Sequence, residues 1–218
     1  MKESELSELF RGYEALASKA DQAFEKVAED YPECVRCSVH CDDCCYAVFG
    51  VFLIEAAYLQ YHFSGLPNGY KSEAILRCSR ADQELDAIQR RLQETQGASE
   101  GGHELLSSER VRCPLLNEDR ECILYNHRPI TCRVYGIPVK VEGKARVCHL
   151  AGFEPGGTYP AFDLDGFYRD LYDMSKELVE KAGGEDPSRA GLLISVSKAI
   201  TSPLEALIHE PLETPGRG

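Results

Sequence analysis

Between residues 4 and 28 the apolar side chains fall at Leu6, Leu9, Phe10, Tyr13, Leu16, Ala17, Ala20, Phe24 and Val27. This three-and-four spacing lines one face of a helix and predicts a long amphipathic helix that ends before Pro32. Its polar face is mainly acidic, which suits packing on a protein core and opposes binding to anionic lipid. Residues 46–52 form a short aromatic and β-branched run. Residues 53–63 then place Leu53, Ala56, Ala57, Leu59 and Tyr61 at helix-compatible positions, closed by Gly65 and Pro67. A third helix is predicted over 72–94, with Ile75, Leu76, Leu85, Ile88 and Leu92 on its inner side. Cys78 stands alone within it and reads as a buried, inert thiol.

The pattern breaks at 96–108, a stretch rich in Gly and Ser and free of aromatic residues, which reads as a linker rather than a lid. Over 112–148 short apolar runs alternate with turn residues. Leu115-Leu116 and residues 122–124 flank a polar turn at 117–120, and residues 139–141 and 145–147 flank Glu142-Gly143-Lys144, so two small hairpins are predicted. Between them Pro129 opens a helical turn that carries Cys132 and Arg133. A further helix over 163–182 has Phe167, Leu171, Met174, Leu178 and Val179 as its stripe and is stopped by Gly183-Gly184. Two short helices follow at 192–200 and 204–208, separated by Pro203, and the tail after Glu210 is expected to fray. The chain therefore reads as mainly α with small β-hairpins, an α+β fold in one domain over 1–218. A cysteine-rich core at 34–150 is flanked by an N-terminal helix at 1–33 and a C-terminal helical region at 160–210.

Composition changes this picture only through charge and cysteine. No run approaches the roughly 20 apolar residues that cross a bilayer, and the opening residues lack the apolar stretch of a signal peptide, so a cytoplasmic location is expected. In a reducing compartment ten cysteines read as metal ligands or redox groups before disulfides. A formal charge of -12 argues against nucleic acid or an anionic membrane as partner, and no protein partner is indicated. Locally the balance reverses: residues 110–148 hold Arg110, Arg112, Arg120, Arg128, Arg133, Lys140, Lys144 and Arg146 against only Glu118, Asp119, Glu121 and Glu142.

The cysteines form two groups. Cys34, Cys37, Cys41, Cys44 and Cys45 lie within residues 34–45; Cys113, Cys122, Cys132 and Cys148 each sit on or beside a predicted turn, where ligands converge without distorting a helix. Thiolates are soft, strong ligands for zinc and iron-sulfur clusters. The spacing is not that of a zinc ribbon, nor of the bacterial ferredoxin run, in which Pro stands where this chain has Cys45. Cys37, Cys41 and Cys44 meet the C-x3-C-x2-C spacing of radical S-adenosylmethionine enzymes. That motif, however, follows a strand, whereas here it follows a long helix, and Asp43 replaces its usual aromatic residue.

The whole pattern resembles the YkgJ-type cysteine-cluster family, described as a zinc- or iron-chelating domain. The resemblance rests on Cys37-x3-Cys41-x2-Cys44-Cys45, the following Val51-Phe52-Leu53-Ile54-Glu55, Cys113-Pro114-Leu115-Leu116, Cys122-Ile123-Leu124-Tyr125 and Arg128-Pro129-Ile130-Thr131-Cys132-Arg133-Val134-Tyr135. It covers about half the chain. Where the family has Gly after the second cysteine, this chain has Asp42; Cys34 and Cys78 lie outside the pattern. The resemblance implies metal binding by Cys37, Cys41, Cys44, Cys45, Cys113, Cys122, Cys132 and Cys148. Some flagellin lysine methylases look similar in this domain, but the chain has no Gly-rich strand-to-helix turn for a methyl donor.

Zinc and a [4Fe-4S] cluster both take four thiolates, so the ligand count does not separate them. Side chains of adjacent residues are expected to diverge, so Cys44 and Cys45 would serve different metal atoms, which favours a multinuclear centre over a single zinc; an iron-sulfur cluster or iron is the favoured reading and zinc the alternative. Either centre carries net negative charge, which Arg128 or Arg133 would offset by hydrogen bonds to sulfur. Arg133, beside Cys132, is the better placed, while Arg128 suits pairing with a carboxylate equally well. His40, His127 and His149 lie near cysteines and offer replacement ligands, His149 foremost. No catalytic motif is visible. Two function classes follow: a carrier, sensor or electron-transfer module, and a cluster-dependent redox or radical enzyme; a structural zinc protein is a further alternative.

Overall fold

The computed structural model describes residues 1–95 and 109–209. The linker expected at 96–108 and the tail after Glu210 lie outside the described residues. Helix α1 (Glu3–Asp30) buries Leu9, Phe10, Tyr13, Leu16, Ala17, Ala20 and Val27, the face predicted from spacing. A 3-10 helix at Asp43–Tyr46 leads to α2 (Leu53–Ser64), which is apolar nearly all round and runs through the middle of the core. Its Ile54 and Ala56 are fully buried, and burying one such isoleucine contributes about 1.5–3 kcal/mol.

Helix α3 (Asn68–Thr95) starts directly after Pro67, earlier than predicted. Its inner face is the expected one in its second half only: Ile88 is buried with Leu85 and Leu92 packed beside it, whereas Ile75 and Leu76 are exposed and Ala74, Cys78 and Ala81 are buried instead. Small side chains let this helix lie close to its neighbours, so residue size rather than apolar count sets the face. Cys78 is buried, as expected for an inert thiol.

The chain then makes the first predicted hairpin, in which Leu116 pairs with Cys122, a 3-10 turn at Tyr125–His127, and the short helix α4 (Ile130–Arg133) after Pro129. Strands β1 (Val139–Val141) and β2 (Lys144–Arg146) form the second hairpin. Its turn has two residues, Glu142 at φ 52° and Gly143 at φ 74°. Two successive left-handed residues match the twist of the paired strands, so the register is Val139 with Arg146 and Val141 with Lys144, and Lys144 is strand rather than turn. A short strand β3 (Phe162–Asp163), which the residue pattern does not announce, joins β1 in parallel and completes a sheet of order β2-β1-β3.

Helix α5 (Leu164–Lys181) follows closely the predicted span and packs Leu171, Leu178 and Val179 into the core. Residues 192–194 do not start a helix as expected. Ile194 pairs instead with Val51 as an isolated bridge, and Ser195 accepts a hydrogen bond from Lys198 N at 3.1 Å, so that α6 begins at Val196 (Val196–Thr201). A serine in that position satisfies one of the unpaired amides at a helix start. Helix α7 (Leu204–His209) closes the described chain. The result is a mostly helical α+β fold with one small mixed sheet. Among the described residues, no helix is long and apolar enough to cross a membrane.

Candidate metal centre

Three local devices bring the two cysteine groups together. First, the segment 41–47 pairs with 110–113: Cys113 N donates to Cys45 O at 2.7 Å and Val111 N to Tyr46 O at 3.0 Å. Second, Asp42 makes a two-point ion pair with Arg120, both N–H···O distances being 2.9 Å, which ties the first cysteine run to the first hairpin turn. Third, Gly152 N donates to Cys34 O at 2.7 Å, anchoring the chain just after Cys148. Asp42 has φ -113°, so its site needs no glycine; the left-handed residue is His40 at φ 65°.

As a consequence Cys37, Cys41, Cys44, Cys45, Cys113, Cys122, Cys132 and Cys148 all line one cavity of about 890 Å³, together with Arg128 and Arg133. Cys34 and Cys78 do not line it. Cys34 packs against the hydrophobic core instead. Gly136 closes one side: a Cβ there would overlap Cys37 Sγ and touch Phe24 at 3.4 Å.

Within the cavity the thiols divide by depth. Cys45 lies within hydrogen-bonding reach of both Cys44 and Cys122. These bonds hold the proton on Cys45 and raise its pKa, while the same bonds lower Cys44, to about 7, and Cys122. Adjacent side chains were expected to diverge here. The 3-10 helix at Asp43–Tyr46 instead turns Cys44 and Cys45 into the same space, which removes that argument for separate metal atoms. Desolvation, reinforced by Cys122, pushes Cys113 up to about 12 and likewise holds Cys132 protonated. Nearer the mouth, desolvation and the neighbours Cys41 and Cys148 push Cys37 up to about 12. Burial, helped by the Asp43 carboxylate, raises Cys148 to about 11.

Arg133 is placed differently from expectation, whereas Arg128 makes the carboxylate pair that was one of its two expected roles, its Nη2 lying 4.0 Å from Asp21 Oδ1. Arg133 donates from Nη1 to Asp21 at 2.5 Å, from Nε to Arg128 O at 2.8 Å and from Nη2 to Asn126 O at 2.8 Å. All three of its nitrogens are thus committed to oxygen, and its task is to brace the turn at 126–128 against α1. Arg128 stacks its guanidinium over Tyr125 at 3.9 Å and keeps a buried Nε without a partner. Its charge eases ionisation of Cys37, Cys44, Cys122 and Cys132, in each case behind larger causes. A buried donor with no acceptor is costly, and this one belongs to a residue that lines the thiol cavity.

Of the histidines, His127 stacks on His62 with ring centroids 3.5 Å apart and meets Tyr58 Oη at 3.2 Å, which commits it outside the cavity. His40 is exposed at the mouth. His149 comes near Asp43, with Nδ1 to Oδ2 at 3.6 Å. Among the described residues, one set of three ligand atoms lies within 4.8 Å of one another, that of Asp43, Cys148 and His149. Neither Asp43 nor Gly136 emerged from the residue pattern as part of the site. An acidic pair inside a cysteine run and a glycine just after Tyr135 were the available signals.

Behind the thiols, Glu55 is 3% exposed. It accepts hydrogen bonds from Phe52 N at 3.1 Å and from Ile130 N at 2.9 Å, and the Tyr13 hydroxyl lies within reach. One carboxylate thereby joins α1, the start of α2 and the start of α4, which carries Cys132. Burial raises its pKa to about 7 even though these donors favour the anion.

No protein-family model, no curated protein and no solved structure matches the chain.

Proposed function

We propose that this chain is a metal-binding cysteine-cluster protein that holds an iron-sulfur cluster or iron through cavity thiolates and acts as a carrier, sensor or electron-transfer module. One observation carries the reading: eight cysteines from segments far apart in the chain line a single cavity. The unpaired Nε of Arg128 at the same cavity supports it, because anionic sulfur is an acceptor that such a donor fits. The resemblance to the YkgJ-type family points the same way and rests on the quoted motifs alone.

The spread of the thiols favours a multinuclear centre over a single zinc ion. Four thiolates on one zinc lie about 3.8 Å apart, as a tetrahedron with metal-sulfur bonds near 2.3 Å requires. Here the described trio that meets a 4.8 Å limit contains one thiol only. When bound, an iron-sulfur centre would supply reversible electron storage at the cavity. The chain's own contribution is to position the thiols, to place the Arg128 charge beside them, and to hold the wall with Glu55 and Arg133.

A cluster-dependent enzyme is the second reading, favoured by the size of the space. About 890 Å³ falls within the range of small-molecule pockets, and Val48, Phe49, Leu85 and Val111 give it an apolar wall. Replacement of Cys122 or Cys132 by Ser tests metal binding by the second cysteine group. Each variant is expected to lose bound metal and to unfold more easily, since metal binding at structural thiolate sites contributes roughly 10–16 kcal/mol to apparent folding free energy. Wild-type metal content and stability in both variants would overturn the reading.

A further inference from the structure

We propose that Asp43, Cys148 and His149 form a separate mononuclear site for an exchangeable divalent transition-metal ion at the rim of the thiol cavity. Asp43 opens the 3-10 helix at Asp43–Tyr46, and Cys148 and His149 follow strand β2. Asp43 and Cys148 line the cavity, whereas His149 stands outside it with its side chain 63% exposed. The three donors therefore straddle the boundary between the thiol-lined interior and solvent.

Their spacing is close to that of a bound ion. Cys148 Sγ lies 3.2 Å and His149 Nδ1 3.6 Å from the same Asp43 oxygen, Oδ2. Ligands about 2.0–2.3 Å from a tetrahedral ion sit roughly 3.3–3.8 Å from one another, so little movement is needed. The neighbouring groups orient the donors. Leu150 N donates to Cys148 Sγ at 3.4 Å, and Arg110 Nη2 donates to Asp43 Oδ1 at 2.6 Å, which leaves Oδ2 facing the other two.

Arg110 Nη2 also lies 3.2 Å from His149 Nδ1. A guanidinium nitrogen only donates, so Nδ1 presents its lone pair there, the form of imidazole that binds metals. The guanidinium is thus the cation now beside both Asp43 and His149. An ion takes over His149 while Arg110 keeps Asp43 Oδ1 and, through Nη1, the Tyr135 hydroxyl at 3.3 Å.

The donor chemistry separates this site from the interior. One nitrogen, one oxygen and one sulfur suit zinc, cobalt or ferrous iron, whereas the deeper ligands are all sulfur. Three protein donors leave a coordination position to water or an incoming ligand, the arrangement of exchangeable rather than closed structural sites. The other cavity thiols still provide enough ligands for a four-thiolate centre, so the rim site does not depend on what the interior holds.

The test is anaerobic titration of the protein as purified with Co²⁺, with iron, zinc and sulfide measured before and after. The wild type is expected to take up one more ion per chain than Asp43→Asn or His149→Ala, with a thiolate-to-cobalt charge-transfer band that Cys148→Ser removes. Affinity in Asp43→Asn and His149→Ala should fall at least about tenfold, the scale of losing a ligand or its support. Interior metal content and thermal unfolding of His149→Ala should match the wild type. Equal cobalt affinity in the wild type and His149→Ala would overturn the proposal, as would a charge-transfer band that survives Cys148→Ser. Iron and sulfide content bears on the interior alone, so the two readings fail separately.

Discussion

Arg128 and Arg133 border the same cavity, and their hydrogen bonds give them opposite tasks. Arg133 is 8% exposed and holds Asp21 and two backbone carbonyls. Replacing it by Ala removes the donor from Asp21 and from these two carbonyls, which are only partly buried, and a loss of about 1–2 kcal/mol is expected in urea unfolding. Arg128→Gln removes the stack on Tyr125 and a 4.0 Å ion pair with Asp21, so a smaller loss of about 1 kcal/mol is expected in unfolding. On the proposed function, its larger effect would fall on the bound centre. Removing a positive charge beside an anionic cluster disfavours the reduced, more negative state, so the reduction potential should move to lower values in a redox titration. An unchanged potential would show that Arg128 does not face the centre. Proximity to Cys132 along the chain pointed to Arg133; its partner Asp21 lies 112 residues away, and no local pattern reports such a pairing.

Helices α1, α2 and α4 meet at Glu55, and that junction positions Cys132. Glu55→Gln puts an amide N–H against Phe52 N–H or Ile130 N–H, so a destabilisation of about 1–3 kcal/mol is expected. The pH dependence has a definite sign. The folded-state pKa of Glu55 is raised from 4.5 to about 7. The folded protein therefore binds the proton more tightly than the unfolded chain, and this contribution is complete below about 4.5 and lost as pH rises through about 7. It amounts at most to roughly 3 kcal/mol. The stability gap between wild type and Glu55→Gln, measured by urea unfolding across that window, should narrow with rising pH. A constant gap would contradict the assignment. Gly136 acts at the same scale: Gly136→Ala drives a methyl group into Cys37 Sγ, so metal content should fall while the far-ultraviolet circular dichroism of the helices is retained.

At the scale of the molecule, much of the architecture was legible because it is local. The face of α1, the apolar α2, both hairpins and the α5 stripe follow from periodicity within a few turns of chain. The eight cavity cysteines were legible as two groups. Their arrangement around one space was not, because it depends on the pairing of 41–47 with 110–113 and on the Asp42–Arg120 ion pair. The first half of the inner face of α3 was misread for a related reason: Ala74, Cys78 and Ala81 face inward because they are small, a property that apolar counting does not weigh, while Leu85, Ile88 and Leu92 lie where periodicity put them.

The central claim is that the eight-thiol cavity holds an iron-sulfur cluster or iron, and anaerobic purification followed by absorption spectroscopy with iron, sulfide and zinc analysis tests it most directly. Broad visible absorption with iron bound is expected, accompanied by matching sulfide where the centre is a cluster. A colourless protein that contains zinc and no iron would contradict it.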